Sequence, residues 1–191
     1  RYNCPTMMCL FISIFILILI VIVIFSFPQF SPIPYFPSNK KDLPLILTAL
    51  RLRNDQVIVD LGAGDGVVIF EVARAAYQRG LTTQFIATDI NPVLLLIMHI
   101  RRLFHPNRKN IRIIYSNMFT CTYSDFQTLR LSDIPTFYIY ISPWFIEKTI
   151  QNIKKQIPRF RLVSYFYQVK FLPHHKETCT EGVHRVYEYN H

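Results

Sequence analysis

Glycine and acidic residues are both scarce in this chain. Five glycines occur in 191 residues, and 12 Asp and Glu stand against 21 Lys and Arg, for a formal net charge of +9. Cysteine offers no scaffold: Cys4, Cys9, Cys121 and Cys179 form no Cys-x-x-Cys pair and lack the spacing of a structural zinc site. His174 and His175 follow Pro173 in an expected loop without further ligands, so they read as a solvated pair and no metal is expected. Internal repeats and a classical general base are also missing. With 51% hydrophobic residues, this length holds one α/β domain and one membrane segment but no second domain.

Charge is absent altogether from Cys9 to Phe27. Nineteen such residues span about 28 Å as a helix, close to the hydrocarbon thickness of a bilayer. A transmembrane anchor over residues 1–27 is therefore expected. A signal peptide fits less well, because the run is too long for an h-region and Ser26-Phe27-Pro28 is not a small-x-small cleavage site. Pro28, Pro32, Pro34 and Pro37 make 28–37 a stiff, extended spacer that keeps the domain at 38–191 close to the bilayer. Arg1 is the only charge before the apolar run, whereas Lys40, Lys41, Arg51 and Arg53 follow it. The bias places the domain on the cytoplasmic or mitochondrial matrix side.

The excess of base invites a nucleic-acid reading, which the placement of the bases argues against. Arg74, Arg79, Arg101, Arg102, Lys154, Lys155 and Arg159 fall toward the ends of expected helices, away from the ligand edge of the sheet. There they complement helix C-termini and attract anionic lipid.

The glycines that are present are concentrated. Val57-Ile58-Val59-Asp60-Leu61 has the continuous apolar character of a strand buried on both faces, and it runs into Gly62-Ala63-Gly64-Asp65-Gly66. Residues 67–79 return to helical spacing. A strand, a glycine turn and a helix N-terminus form a nucleotide-binding corner. The third glycine comes one residue too soon for the dinucleotide fingerprint, and Asp60 and Asp65 would repel a pyrophosphate. They would attract the sulfonium and ammonium of S-adenosylmethionine. Gln84-Phe85-Ile86-Ala87-Thr88-Asp89 is a second strand whose terminal acid can accept both ribose hydroxyls, and Asn91-Pro92 opens the next helix. Alone, Asp89 would read as an N-cap; after the glycine turn it reads as a ligand residue.

Over residues 35–190 the chain resembles the class I S-adenosylmethionine-dependent methyltransferases. Within that class it is most similar to small membrane-anchored protein-lysine methyltransferases, the enzymes of the adenine nucleotide translocase and the ATP synthase c subunit, and to their prokaryotic relatives. The likeness rests on the hydrophobic N-terminus, Tyr35-Phe36-Pro37-Ser38, Val59 to Gly66, and Asp89-Ile90-Asn91-Pro92. It implies a doubly wound, mostly parallel Rossmann-like sheet, with cofactor contacts from Asp60, Gly62, Gly64, Asp65, Gly66, Asp89 and Ile90. Further strands are expected at 111–115, 136–141, 161–167 and 183–189, the last as an antiparallel edge.

Ser116-Asn117-Met118-Phe119 follows the third strand, where the class usually has an acid for the adenine amino group. Asn117 departs from that pattern and offers a weaker amide acceptor beside Met118; an ordinary turn residue is the alternative. Chemistry is expected at Ile141-Ser142-Pro143-Trp144, which resembles the lysine enzymes' short motif and a truncated Asx/Ser-Pro-Pro-aromatic motif of nucleic-acid amino methyltransferases. Carbonyls near Ile141 and Ser142 would orient an amine, with Trp144 and Tyr35 as its walls; otherwise Trp144 is a core aromatic. The expected acceptor is a lysine of a membrane protein; the alternatives are a nucleic-acid or small-molecule amine, or a catalytically silent adaptor that keeps the cofactor fold.

Overall fold

The computed structural model describes residues 4–26, 33–122, 126, 134–172, 175–178 and 182–191. Two core layers pack on the faces of one seven-stranded sheet. Its strands are β1 (Val57–Leu61), β2 (Gln84–Asp89), β3 (Ile111–Tyr115), β4 (Thr136–Ile139), β5 (Arg161–Tyr165), β6 (His175–Thr178) and β7 (Val186–Asn190), in the spatial order β3-β2-β1-β4-β5-β7-β6. The helices are α1 (Cys4–Ser26), α2 (Leu43–Leu50), α3 (Val67–Gln78), α4 (Pro92–Leu103) and α5 (Pro143–Gln156). The first five strands are parallel, and β7 runs antiparallel against both β5 and β6. Strand order reverses between β1 and β4, and at such a switch point the carboxyl ends of the strands open a crevice.

Side-chain alternation sorts the core. Ile58 and Tyr138 join Ile46, Leu50, Phe70 and Met98 on one face, whereas Val57, Val59, Phe137 and Ile139 meet Ile150, Ile153 and Phe160 on the other. Each fully buried Ile or Phe contributes roughly 1.5–3 kcal/mol of transfer free energy, so the sheet is anchored from both sides. α1 has no such partner layer. Its described side chains are exposed from Met7 to Ile20, only Val21, Ile24 and Phe25 near its end are half-covered, and Met7–Ser26 is long and apolar enough to cross a membrane. The helix begins five residues before the expected Cys9. Phe27, Pro28 and Pro32 lie outside the described residues.

Several expectations are corrected. The strand expected at 183–189 forms as β7 but is not the edge, because β6 pairs outside it with His175 opposite Tyr189. His175 therefore belongs to a strand rather than a loop, and His174 lies outside the described residues. The sequence His-Lys-Glu-Thr gives no apolar signal, and the strand is defined by its pairing with β7. β4 ends at Ile139 and frees Tyr140 and Ile141 to face the crevice. β5 ends at Tyr165 because Phe166 turns to φ +71°, its amide donating to the Arg185 carbonyl. Arg101 also departs from expectation: it folds back onto the glycine turn instead of lying free at the end of α4.

Candidate functional site

The glycine turn is held by the end of the neighbouring strand. The Gly62 and Ala63 amides both donate to the Thr88 carbonyl, at 3.0 and 2.8 Å, and the Gly64 amide donates to Asp89 Oδ2 at 2.8 Å. The Asn91 amide donates to Asp89 Oδ1, also at 2.8 Å. One carboxylate thus fixes both the turn and the entry to α4 while lining the cleft. With the Ile90 amide as a third donor, about one of the carboxylate's four acceptor positions is left for a hydroxyl. Burial raises the Asp89 pKa, against the opposing pull of the Asn91, Gly64 and Ile90 amides.

Gly64 has φ +60°, and a Cβ there would approach the Tyr35 ring to 2.5 Å. Both conformation and space exclude a side chain. Gly62 and Gly64 line the cleft, whereas Gly66 does not; it opens α3 beneath Phe70 and Met98. Ile90 lies on the cleft wall, as does Met118, whose methyl group is next to Gly62. Asn117 is not part of that wall. Its Oδ1 accepts from the Phe119 amide at 3.0 Å, the ordinary Asx-turn use of the residue, and keeps its second lone pair.

The acids in and beside the turn have different environments. Asp65 Oδ2 pairs with Arg101 Nη1 at 2.7 Å, its Oδ1 accepts from the Val67 amide, and the Tyr35 hydroxyl bonds to it as well. Its charge is already balanced. Asp60 is buried, lines the cleft, and among the described residues no hydrogen bond reaches its carboxylate. Burial, then the negative charges of Asp89 and Asp65, push its pKa well up. An uncompensated buried carboxylate is costly unless a cation arrives, so Asp60 suits the ammonium group of S-adenosylmethionine. Asn91 Nδ2 is a buried donor without a partner on the same cleft, while Asn91 Oδ1 caps α4. A ligand rich in acceptors fits there. The local sequence marks Asn91 as a helix starter, and its place two residues after Asp89 is the signal for its position on the cleft.

Residues 33–38 cross the mouth of the cleft as a strap. Ser38 Oγ is hydrogen-bonded to the Tyr138 hydroxyl at 2.9 Å, which ties the strap to β4. Tyr35 lies over Gly64 on the cofactor side, and burial, followed by the charge of Asp65, raises its pKa. It does not line the second space, where it had been expected as an acceptor wall. That second space, about 650 Å³ including open solvent, is lined by Ser142, Pro143 and Trp144 together with Phe36, Tyr140 and Tyr167. It shares Ile33, Pro34, Phe36, Tyr140 and Ile141 with the cofactor cleft, so the two spaces adjoin.

Trp144 is 84% exposed and is not a core aromatic. Ser142 precedes α5 without a side-chain cap bond, and its carbonyl accepts from the Phe145 amide at 3.0 Å. That carbonyl uses one of its two lone pairs in the first turn of α5. Tyr140 and Tyr167 stack with centroids 6.5 Å apart, and Tyr140 packs edge-on to Tyr165 at 4.8 Å. Burial raises the Tyr140 pKa, so its hydroxyl stays protonated. These tyrosines went unnoticed in the sequence because nothing local shows that β4 and β5 end side by side.

No protein-family model matches the chain, and no curated protein matches it in sequence. Solved structures do. An RNA methyltransferase from Salinibacter ruber in complex with S-adenosyl-L-homocysteine is 18% identical, with TM-score 0.64 over 81% of this chain and 93% of that one. A precorrin-6y C5,15-methyltransferase from Geobacter metallireducens is also 18% identical, with TM-score 0.53 over 81% of this chain and 92% of its own. The 23S rRNA methyltransferase ErmE is 14% identical, with TM-score 0.57 over 82% of this chain and 70% of its own. The fold is the Rossmann-like methyltransferase fold, with a mostly parallel sheet and an antiparallel strand pair at one side.

Proposed function

We propose that the chain is an S-adenosylmethionine-dependent methyltransferase, anchored in a membrane by α1, whose acceptor is an amine and specifically a protein lysine. The observation that carries the reading is the pairing of two adjoining spaces. One holds an uncompensated buried acid and a glycine turn; the other is walled by aromatics.

Asp89 would hold the ribose, Asp60 would face the ammonium, and Gly62 and Gly64 would let the backbone approach the amino-acid portion. When bound, S-adenosylmethionine supplies a methyl carbon activated by its sulfonium. The protein's task is then alignment and exclusion of water. Phe36, Tyr140, Trp144 and Tyr167 form an apolar, π-rich channel toward that cleft, and no carboxylate or histidine lines it among the described residues. Desolvation there favours the neutral amine, so the acceptor's proton leaves to water rather than to a fixed base. The exposed Trp144 face and the aromatic walls suit a long alkyl amine, which is the chemistry of a lysine side chain.

The test is incorporation of radiolabelled methyl groups by the full chain into a membrane extract, with free RNA and extract metabolites as parallel acceptors. Label in membrane protein lysines is expected. Label confined to RNA or metabolites replaces the acceptor. Cofactor binding without any incorporation makes the chain a silent cofactor-binding adaptor. The anchor is read separately: resistance to alkaline carbonate washing is expected, and release into the soluble fraction rejects it. A domain on the cytoplasmic or matrix side is expected from protease protection.

A further inference from the structure

α4 is apolar on two opposite faces. Leu94, Leu95 and Met98 are buried against the sheet. Leu96, Ile100 and Leu103 recur at helical spacing on the other side, and with Ile97 and Phe104 they are exposed. Phe104 is 85% exposed, and a contiguous apolar strip of this kind marks a binding surface in a soluble fold. The strip has a basic rim: Arg102, Arg108 and Lys109 line a groove with Leu96, Ile100 and Leu103. Between Asp89 and Asp125 there is no acidic residue, while Arg101, Arg102, Arg108, Lys109 and Arg112 all fall in that interval. Of these, Arg101 alone is paired with an acid among the described residues.

The location identifies what covers the strip. α1 lies next to α4, and the half-covered residues of α1, Val21, Ile24 and Phe25, are in its last turns. Even with α1 in place the α4 strip stays exposed. Where α1 crosses a bilayer, which is the anchoring reading proposed above, α4 stands at the point where it emerges. We infer that the outer face of α4 docks on an anionic bilayer surface, with Leu96, Ile100, Leu103 and Phe104 entering the acyl boundary and Arg102, Arg108 and Lys109 meeting lipid phosphates. An apolar stripe edged with base and without acid is the signature of an interfacial helix. The contact fixes the domain's orientation, which a proline-containing spacer alone does not.

The experiment uses the full chain reconstituted in vesicles of brominated phosphatidylglycerol or brominated phosphatidylcholine. Trp144→Phe removes the single native tryptophan, and Phe104→Trp places one reporter on the strip. Val183→Trp in the same background is the control, as it lies toward the opposite side of the sheet from α4. Roughly half of the Phe104→Trp emission should be quenched in phosphatidylglycerol, since interfacial residues sit about 5–10 Å into the lipid, and the Val183→Trp emission should be unaffected. Adding Arg108→Glu and Lys109→Glu should abolish the quenching while cofactor binding, the check on folding, persists.

An unquenched Phe104→Trp reporter in carbonate-resistant protein overturns the docking and leaves the anchor standing. Quenching in carbonate-released protein keeps the docking and rejects the anchor. Equal quenching in phosphatidylcholine overturns the anionic preference. A reporter that is shielded only on dimerisation, without lipid quenching, gives the face to a second copy of the chain and overturns the proposal.

Discussion

The two halves of the cleft are built on different principles. On the cofactor side, Asp60 and Asp89 are buried, and the Thr88 carbonyl and the Asp89 carboxylate hold the amides of the glycine turn. On the acceptor side, Trp144 and Phe36 are 84% and 68% exposed, and Ser142 has no side-chain cap bond to fix it. A small cofactor is always the same size, so its site can be preorganised by the sheet. The slot for a side chain of another protein is completed by what enters it.

The strongest way to break this comparison is to damage the rigid half. Gly64→Val forces a β-branched residue to φ +60° against Tyr35 and should reduce S-adenosylmethionine binding below detection. Asp89→Ala removes the ribose acceptor and leaves the Gly64 and Asn91 amides without their carboxylate, and should weaken binding about 100-fold, within the range of one charge-assisted hydrogen bond. Calorimetry on folded variants decides both; unchanged affinity removes the cofactor assignment.

The exposed half should fail differently. Trp144→Ala is expected to cut methyl incorporation by roughly 10- to 100-fold through misalignment of the acceptor, with cofactor affinity nearly unchanged. Parallel loss of affinity would show that the two halves are one site. Equal incorporation would return Trp144 to a passive surface role.

A smaller effect is expected from pH. Because the folded pKa of Asp60 is raised, the native state holds a proton that the unfolded chain has released, from the ordinary carboxylate range up to the raised value. Stability therefore falls as pH rises through that window, and affinity for a cationic ligand rises as Asp60 ionises. Asp60→Asn should flatten both profiles in denaturation and calorimetric titrations. A wild-type profile with no slope in that window would show that Asp60 is compensated. The smallest effect is Tyr35→Phe, which removes one hydrogen bond to an Asp65 already paired with Arg101 and should cost no more than about 1 kcal/mol of cofactor affinity. A larger loss would make the strap part of the rigid half.

The legible part of the site was the part encoded in consecutive residues. Val57 to Gly66 and Gln84 to Asn91 form their strands and turns as read, because buried parallel strands need continuous apolar runs and the turn needs glycine at positive φ. Asn117 shows the limit: local pattern names it equally as an adenine acceptor and as a turn residue, and in the fold its amide oxygen closes its own turn while lying off the cleft wall. Arg101 shows another, since a base at a helix end gave no hint of reaching Asp65 across 36 residues.

What the sequence determined by itself was the order of strands and helices, the apolar helix and the nucleotide corner, all of which arise from spacing along one segment. Tertiary structure alone decided which acid stays uncompensated, that Tyr140 and Tyr167 stack beside the Ser142 loop, and that α4 keeps a second apolar face. Charge compensation, stacking and burial are relations between segments distant in the chain, and no local pattern fixes which residue folding brings opposite another.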